Sequence, residues 1–75
     1  MSTKKIPKYV QIKEHLLQGI VSHRFTDRLP SENQLSRKFS VSRMTARKAL
    51  DEIDMEGFVE RVPGRGTFVK NRLFS

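Results

Sequence analysis

Arg43 and Arg47 stand four residues apart, with Met44 and Thr45 between them and Lys48 directly after. On a helix that spacing puts both guanidinium groups on one face, a turn apart. A guanidinium is a planar fork of donors that can give two hydrogen bonds at once, to a carboxylate, a phosphate, or the O6 and N7 edge of guanine. A second constellation is Gly64-Arg65-Gly66, an arginine between two residues that let the backbone come close to a ligand. Neither suits covalent or acid–base catalysis, because no nucleophile stands with a base and an orienting partner, and an enzyme is not expected. Metal chemistry has little to work with. There is no cysteine, and His15 and His23 lie two helical turns apart, too far for paired ligands on one helix. No metal and no cofactor is expected.

The order of charge points further. Between Asn33 and Leu50 there are five cationic side chains, Arg37, Lys38, Arg43, Arg47 and Lys48, and no acid, whereas Asp51 to Glu60 carries acids alone. If Ser42 caps a helix running to about Glu56, that order opposes the helix dipole, which favours acids in the first turn and bases in the last by about 0.3 to 1 kcal/mol each. A helix start so arranged suits an anion, since backbone N–H groups, dipole and arginines then act together. A net charge of +7 on 75 residues fits a nucleic-acid partner, and fits a basic membrane-surface peptide or a ligand of acidic proteins as well. No apolar run approaches a spanning helix, and Met1 to Lys5 lacks a secretory apolar stretch, so no membrane partner and a cytoplasmic location are expected. A chain this short forms one domain that buries roughly 60% of its unfolded surface.

The positioning elements follow from periodicity. Residues 1–6 read as a flexible basic arm, 7–69 as the domain and 70–75 as a tail or the start of a linker. Pro7 fits a helix's first turn, and Tyr9, Ile12, Leu16 and Ile20 mark one apolar stripe to about His23. Gly19 beside it either admits a neighbouring helix or is a tolerated glycine. Val10, Leu17 and Val21 form a second strip, read as packing on the C-terminal hairpin, with a second copy of the chain as the alternative. Leu29 is offered as a very short strand before Pro30. Ser31 and Gln34 match a capping box for a second helix, with Leu35 and Phe39 inward and Asn33 and Arg37 outward. Ser40 and Val41 leave room for a tight turn before the third helix, whose Ala46, Ala49, Leu50 and Ile53 fall within one buried arc. Gly57 stops it. Phe58–Val62 and Thr67–Val69 then read as a β-hairpin, with Phe58 and Phe68 as core.

Two short helices joined by a tight turn make a helix-turn-helix, and with the cationic hairpin the set suits double-stranded DNA. On that reading Arg43 and Arg47 meet base edges and Met44 meets a thymine methyl. Ser31, Asn33, Arg37, Ser42, Thr45 and Lys48 meet the sugar–phosphate backbone, and Arg65, between Gly64 and Gly66, enters the minor groove. The competing reading makes the two arginines solvated surface residues or partners of Asp51 and Asp54. An alternative keeps the fold and has it bind RNA or dock another protein through Val10, Leu17 and Val21.

The stretch "LPSENQLSRKFSVSRMTARKAL" followed by "EGFVERVPGRGTFV" resembles the N-terminal DNA-binding domain of the GntR family of bacterial transcription regulators, most closely its HutC-like branch. The similarity covers roughly Pro7 to Val69. It implies an α+β winged helix-turn-helix, three helices and a two-stranded wing with Leu29 as a third short strand. It also implies base reading by Arg43 and Arg47, a phosphate or base contact at Thr45, and a minor-groove wing at Gly64, Arg65 and Gly66. Where some members carry arginine in the second helix this chain has Asn33. The family's habit is repression from a palindromic, inverted-repeat operator by a homodimer, with a C-terminal domain, absent from these residues, that binds a small-molecule effector. The 75 residues alone are then expected to be monomeric or weakly dimeric.

Overall fold

The computed structural model describes residues 6–70. Within them the chain forms helix α1 (Lys8–Val21), α2 (Glu32–Phe39) and α3 (Arg43–Met55), then strands β1 (Val59–Val62) and β2 (Gly66–Val69). The expected arm lies outside the described residues except for Ile6, as does the expected tail except for Lys70, whose backbone N–H donates to the Phe58 carbonyl at 3.1 Å. Among the described residues no helix is long and apolar enough to cross a membrane.

Each helix begins where local chemistry supplies an acceptor or a preset dihedral. Pro7 is the cap of α1 rather than its first residue, at φ −55° and ψ 147°. The Ser31 hydroxyl accepts from the Gln34 N–H at 3.1 Å while the Gln34 side chain accepts from the Ser31 N–H at 2.9 Å, the expected reciprocal box. Ser42 caps α3 by accepting from Thr45 N–H at 3.2 Å. Between α2 and α3, Ser40 turns the chain in the left-handed region at φ 56°, and Val41 packs against the core. Gly57 follows α3 at φ 88°.

The core gathers Ile12, Leu16 and Ile20 from α1, Leu29, Leu35 from α2, Ala46, Ala49, Leu50 and Ile53 from α3, and Val59 from β1. Burying each leucine or isoleucine contributes about 1.5 to 3 kcal/mol. The ion pairs of Lys13 with Glu52 (3.3 Å) and Glu56 (2.5 Å) lie at the surface, where water and salt screen them, so apolar packing sets the angle of α1 on α3. His15 is half-buried between the rings of Phe39 (5.4 Å) and Phe25 (6.2 Å), and burial, with Lys38 and Arg24 nearby, lowers its pKa.

The hairpin pairs Val59 with Val69, Glu60 with Phe68, Arg61 with Thr67 and Val62 with Gly66. It corrects one expectation: Val59 and Thr67 are buried on the inward face and Phe58 is half-buried against the core, while Phe68 is half-buried and lies outside the core cluster. Strand alternation explains it, since Thr67 inward turns Phe68 to the other face, where the Arg28 guanidinium lies 5.8 Å from its ring centre. The third strand is a single bridge from Arg28 to Phe68, flanked by Leu29 N–H to Thr67 O (2.9 Å) and Val69 N–H to Asp27 O (2.8 Å). Leu29 itself is core, and Pro30, with no N–H to donate, ends the pairing. The hairpin leans on α3 rather than on the second strip of α1. Leu17 of that strip packs against the core and Val21 stays 66% exposed. Three helices and a hairpin in this order are a winged helix-turn-helix.

The space beside Gly19 is filled by an aromatic ring. A Cβ there would lie 2.4 Å from the ring of Phe25. Overpacking costs about 1 to 3 kcal/mol, against a helix gain of about 1 kcal/mol for alanine over glycine. Gly19→Ala is therefore expected to lose about 1 kcal/mol net, read as a lowered denaturant midpoint at unchanged slope. A raised midpoint would show that the ring moves away freely.

Candidate nucleic-acid interface

With Ala46, Ala49, Leu50 and Ile53 turned inward, the opposite side of α3 is open. Arg43 is exposed and forms no ion pair among the described residues, and Met44 is 73% exposed. Neither an acid in the first turn nor a base in the last offsets the dipole of α3, whereas α2 has Glu32 at its start and Arg37 and Lys38 at its end. Thr45 is half-buried, its hydroxyl 3.1 Å from that of Ser42. Lys48 stands on the flank, with its ammonium 4.7 Å from the centre of the Tyr9 ring and 3.9 Å from Glu52. Ser31, the cap of α2, and Asn33 and Arg37 on that helix are exposed.

Arg47 has a partner, and it is neither Asp51 nor Asp54. Its Nε donates to Glu32 Oε2 at 3.1 Å, although the side chain remains 58% exposed. The same carboxylate oxygen accepts from Arg61 Nη2 at 2.7 Å, and Arg61 Nη1 donates to Asp51. Arg61 of β1 thus bridges the start of α2 and the middle of α3. Burial acts to raise the pKa of Glu32, but the hydrogen bonds and charges of Arg47 and Arg61 outweigh it and the net shift is downward.

The wing tip is a turn closed by Arg65 N–H to Val62 O at 2.9 Å, with Pro63 and Gly64 at its centre and Gly64 at φ 78°, the pattern of a type II turn. Gly66, at φ 124°, leaves room for the Arg28 guanidinium, whose Nε would lie 3.0 Å from a Cβ there. Arg28 Nη2 donates to the Arg65 carbonyl at 2.8 Å, so a side chain from the α1–α2 connection holds the tip from below. Arg65 keeps its own side chain exposed and unpaired among the described residues. Between wing and α2 lies an open cleft of about 560 Å³, lined by Arg28, Ser31, Asn33, Arg61 and Arg65 among others.

The fold therefore brings Arg43, Met44 and Arg47 onto one open face and sets Ser31, Asn33 and the wing beside a shared cleft. Sequence reading missed Arg28, Glu32 and Arg61. For Arg61 a signal existed: it is two residues after Val59, so strand alternation turns it toward the domain, where an arginine needs acids. Nothing local marks Arg28, whose partners are far along the chain.

A profile of the family described as bacterial regulatory proteins, gntR family, matches residues 8–69. The arabinose metabolism transcriptional repressor of Geobacillus stearothermophilus is 38% identical over 71 residues, covering 92% of this chain and 20% of that protein. The HTH-type transcriptional repressor NagR of Bacillus subtilis is 44% identical over 66 residues, covering 85% of this chain and 27% of that protein. The chain thus spans under a third of the length of these curated relatives. Among solved structures, AraR(DBD) in complex with operator ORR3 superposes with a TM-score of 0.88 at 38% identity, over 93% of this chain and 87% of that one. A transcriptional regulator from Oenococcus oeni gives 0.80 at 25% identity, over 93% and 60%. From the first residue of α1 to the last of β2 sequence and fold agree, and the chain belongs to the gntR family of bacterial regulatory proteins.

Proposed function

We propose that this chain is the sequence-reading domain of a transcription regulator and binds double-stranded operator DNA through α3 and the wing. The observation that carries it is the open, acid-free N-terminal half of α3, whose arginines face away from the core on a fold that superposes on an operator-bound relative. Laid in a major groove, α3 presents Arg43 and Arg47 to base edges and Met44 to a thymine methyl. Ser31, Asn33, Arg37, Ser42, Thr45 and Lys48 meet phosphates, and Arg65, with backbone freed by Gly64 and Gly66, enters the minor groove. The domain's work is binding and not catalysis. We place it in the HutC-like branch on the resemblance of residues 29–50 and 56–69. The greater length of the relatives is where we place an effector-sensing, dimerising domain, so that a homodimer represses from an inverted repeat in the cytoplasm.

Selection from a random duplex library tests the reading: an inverted-repeat or half-site consensus is expected, and enrichment of no sequence would refute it. On the selected duplex, Arg43→Ala is expected to lose about 1 to 3 kcal/mol of affinity while a scrambled duplex is bound nearly as before. The loss at Arg47→Ala should be smaller, because Arg47 gives up Glu32 to reach DNA and its net gain is an exchange.

Lys48→Ala should act differently, weakening selected and scrambled duplexes alike and lowering the slope of log affinity against log salt by about one. A loss confined to the selected duplex would move Lys48 from the backbone to the bases.

A further inference from the structure

Arg47 has two acids within reach, Glu32 at 3.1 Å from its Nε and Asp51 one turn on along the same helix. Arg61 holds both of them. Its guanidinium forks between Glu32 and Asp51, one nitrogen to each, from a side chain only 25% exposed, against 58% for Arg47. Its contact to Glu32 is the shorter of the two, 2.7 Å against 3.1 Å, at the same oxygen. Arg61 is the resident partner of these carboxylates and Arg47 the more exposed one.

Resting on the DNA-reading function proposed above, we infer that Arg61 is a positioning residue for base recognition: by occupying Glu32 and Asp51 it keeps them from immobilising Arg47, and so sets how freely Arg47 turns to DNA. Without Arg61, Glu32 has Arg47 as its remaining partner and can take it by two parallel hydrogen bonds, while Asp51 becomes a second competitor across the i, i+4 spacing. A guanidinium is suited to this place because it reaches two acids at once and stays charged at any pH the domain meets. Arg61 thereby couples wing and reading helix, since the strand that carries it is the first of the wing.

The test is a cycle read as the ratio of affinities for the selected and a scrambled duplex, which a general change of net charge leaves unmoved. Arg61→Ala is expected to lower the ratio about tenfold, in the range of coupling within one charge network. Adding Glu32→Gln and Asp51→Asn to that variant should restore most of it, and Arg61→Ala should add little once Arg47 is alanine. Thermal melting confirms that each variant is folded, and Arg61→Gln, which keeps the stem of the side chain, serves if the alanine variant is not. An unchanged ratio, or a loss that removing the acids does not relieve, overturns the inference, the second outcome marking Arg61 as a brace of the wing or a phosphate contact. A parent that binds both duplexes alike refutes the DNA-reading function and this role with it; a selective parent with a failed cycle refutes this role alone.

Discussion

One helix has to be both the middle of the core and the exposed surface on which the proposed reading of DNA rests. Ala46, Ala49, Leu50 and Ile53 are essentially inaccessible on one side of α3, and Arg43, Met44 and Arg47 stand on the other. Both α1 and α2 pack on α3, and so does β1, while Arg43, Met44 and Arg47 stay exposed on the remaining side of that helix. The two alanines let neighbours approach without a large side chain between them, so a helix of 13 residues is held firmly by a narrow stripe. Rotation of α3 that withdrew the arginines would drive charged side chains into a space filled by leucine and isoleucine. Presentation of the arginines is thus a consequence of core packing and asks for no separate device.

The electrostatics of that helix run against its own stability. No acid balances the positive end of α3, and the acids that follow stand in its second half. The nearest compensation comes from another element: Glu32, the first residue of α2, reaches Arg47. Burial works to raise the pKa of Glu32, and the two guanidinium groups beside it outweigh that and lower it; its place at the positive end of α2 suits a carboxylate as well. The result is a surface that keeps a net positive field while one of its arginines has a partner from which it can be drawn.

Much of this was legible in the chain. Three helices, their caps, the buried arc of α3 and the hairpin followed from apolar spacing and from Ser31, Gln34, Ser42 and Gly57, all local signals. The failures share a cause. An aromatic in a strand run suggests core at Phe68, whereas strand register turns Thr67 inward and leaves Phe68 outside the core cluster. Gly19 in its helix is compatible with a close neighbour or with mere tolerance, and the close neighbour is the ring of Phe25, placed by a connection with no periodicity. Arg47 was weighed against Asp51 and Asp54, the acids nearest in its own helix, and Glu32 instead lies 15 positions away. Local spacing yields elements; pairings between elements depend on how they pack.

That distinction matters most at the wing. Two strands of four residues form a hairpin that on its own is marginal in water. Here it is held at three places: by the segment from Asp27 to Leu29 along the outer edge of β2, by Arg28 reaching the carbonyl of Arg65, and by Arg61 reaching Glu32 and Asp51. Two of those three holds are arginine side chains, so the cations near the wing are of two kinds, those that fix it and the one at its tip that is left unpaired among the described residues. A wing ordered before it meets a ligand loses less conformational freedom on binding than a loose one. On the proposed function the arginines turned toward the protein therefore contribute to affinity through Arg65, by fixing in advance the backbone from which it projects.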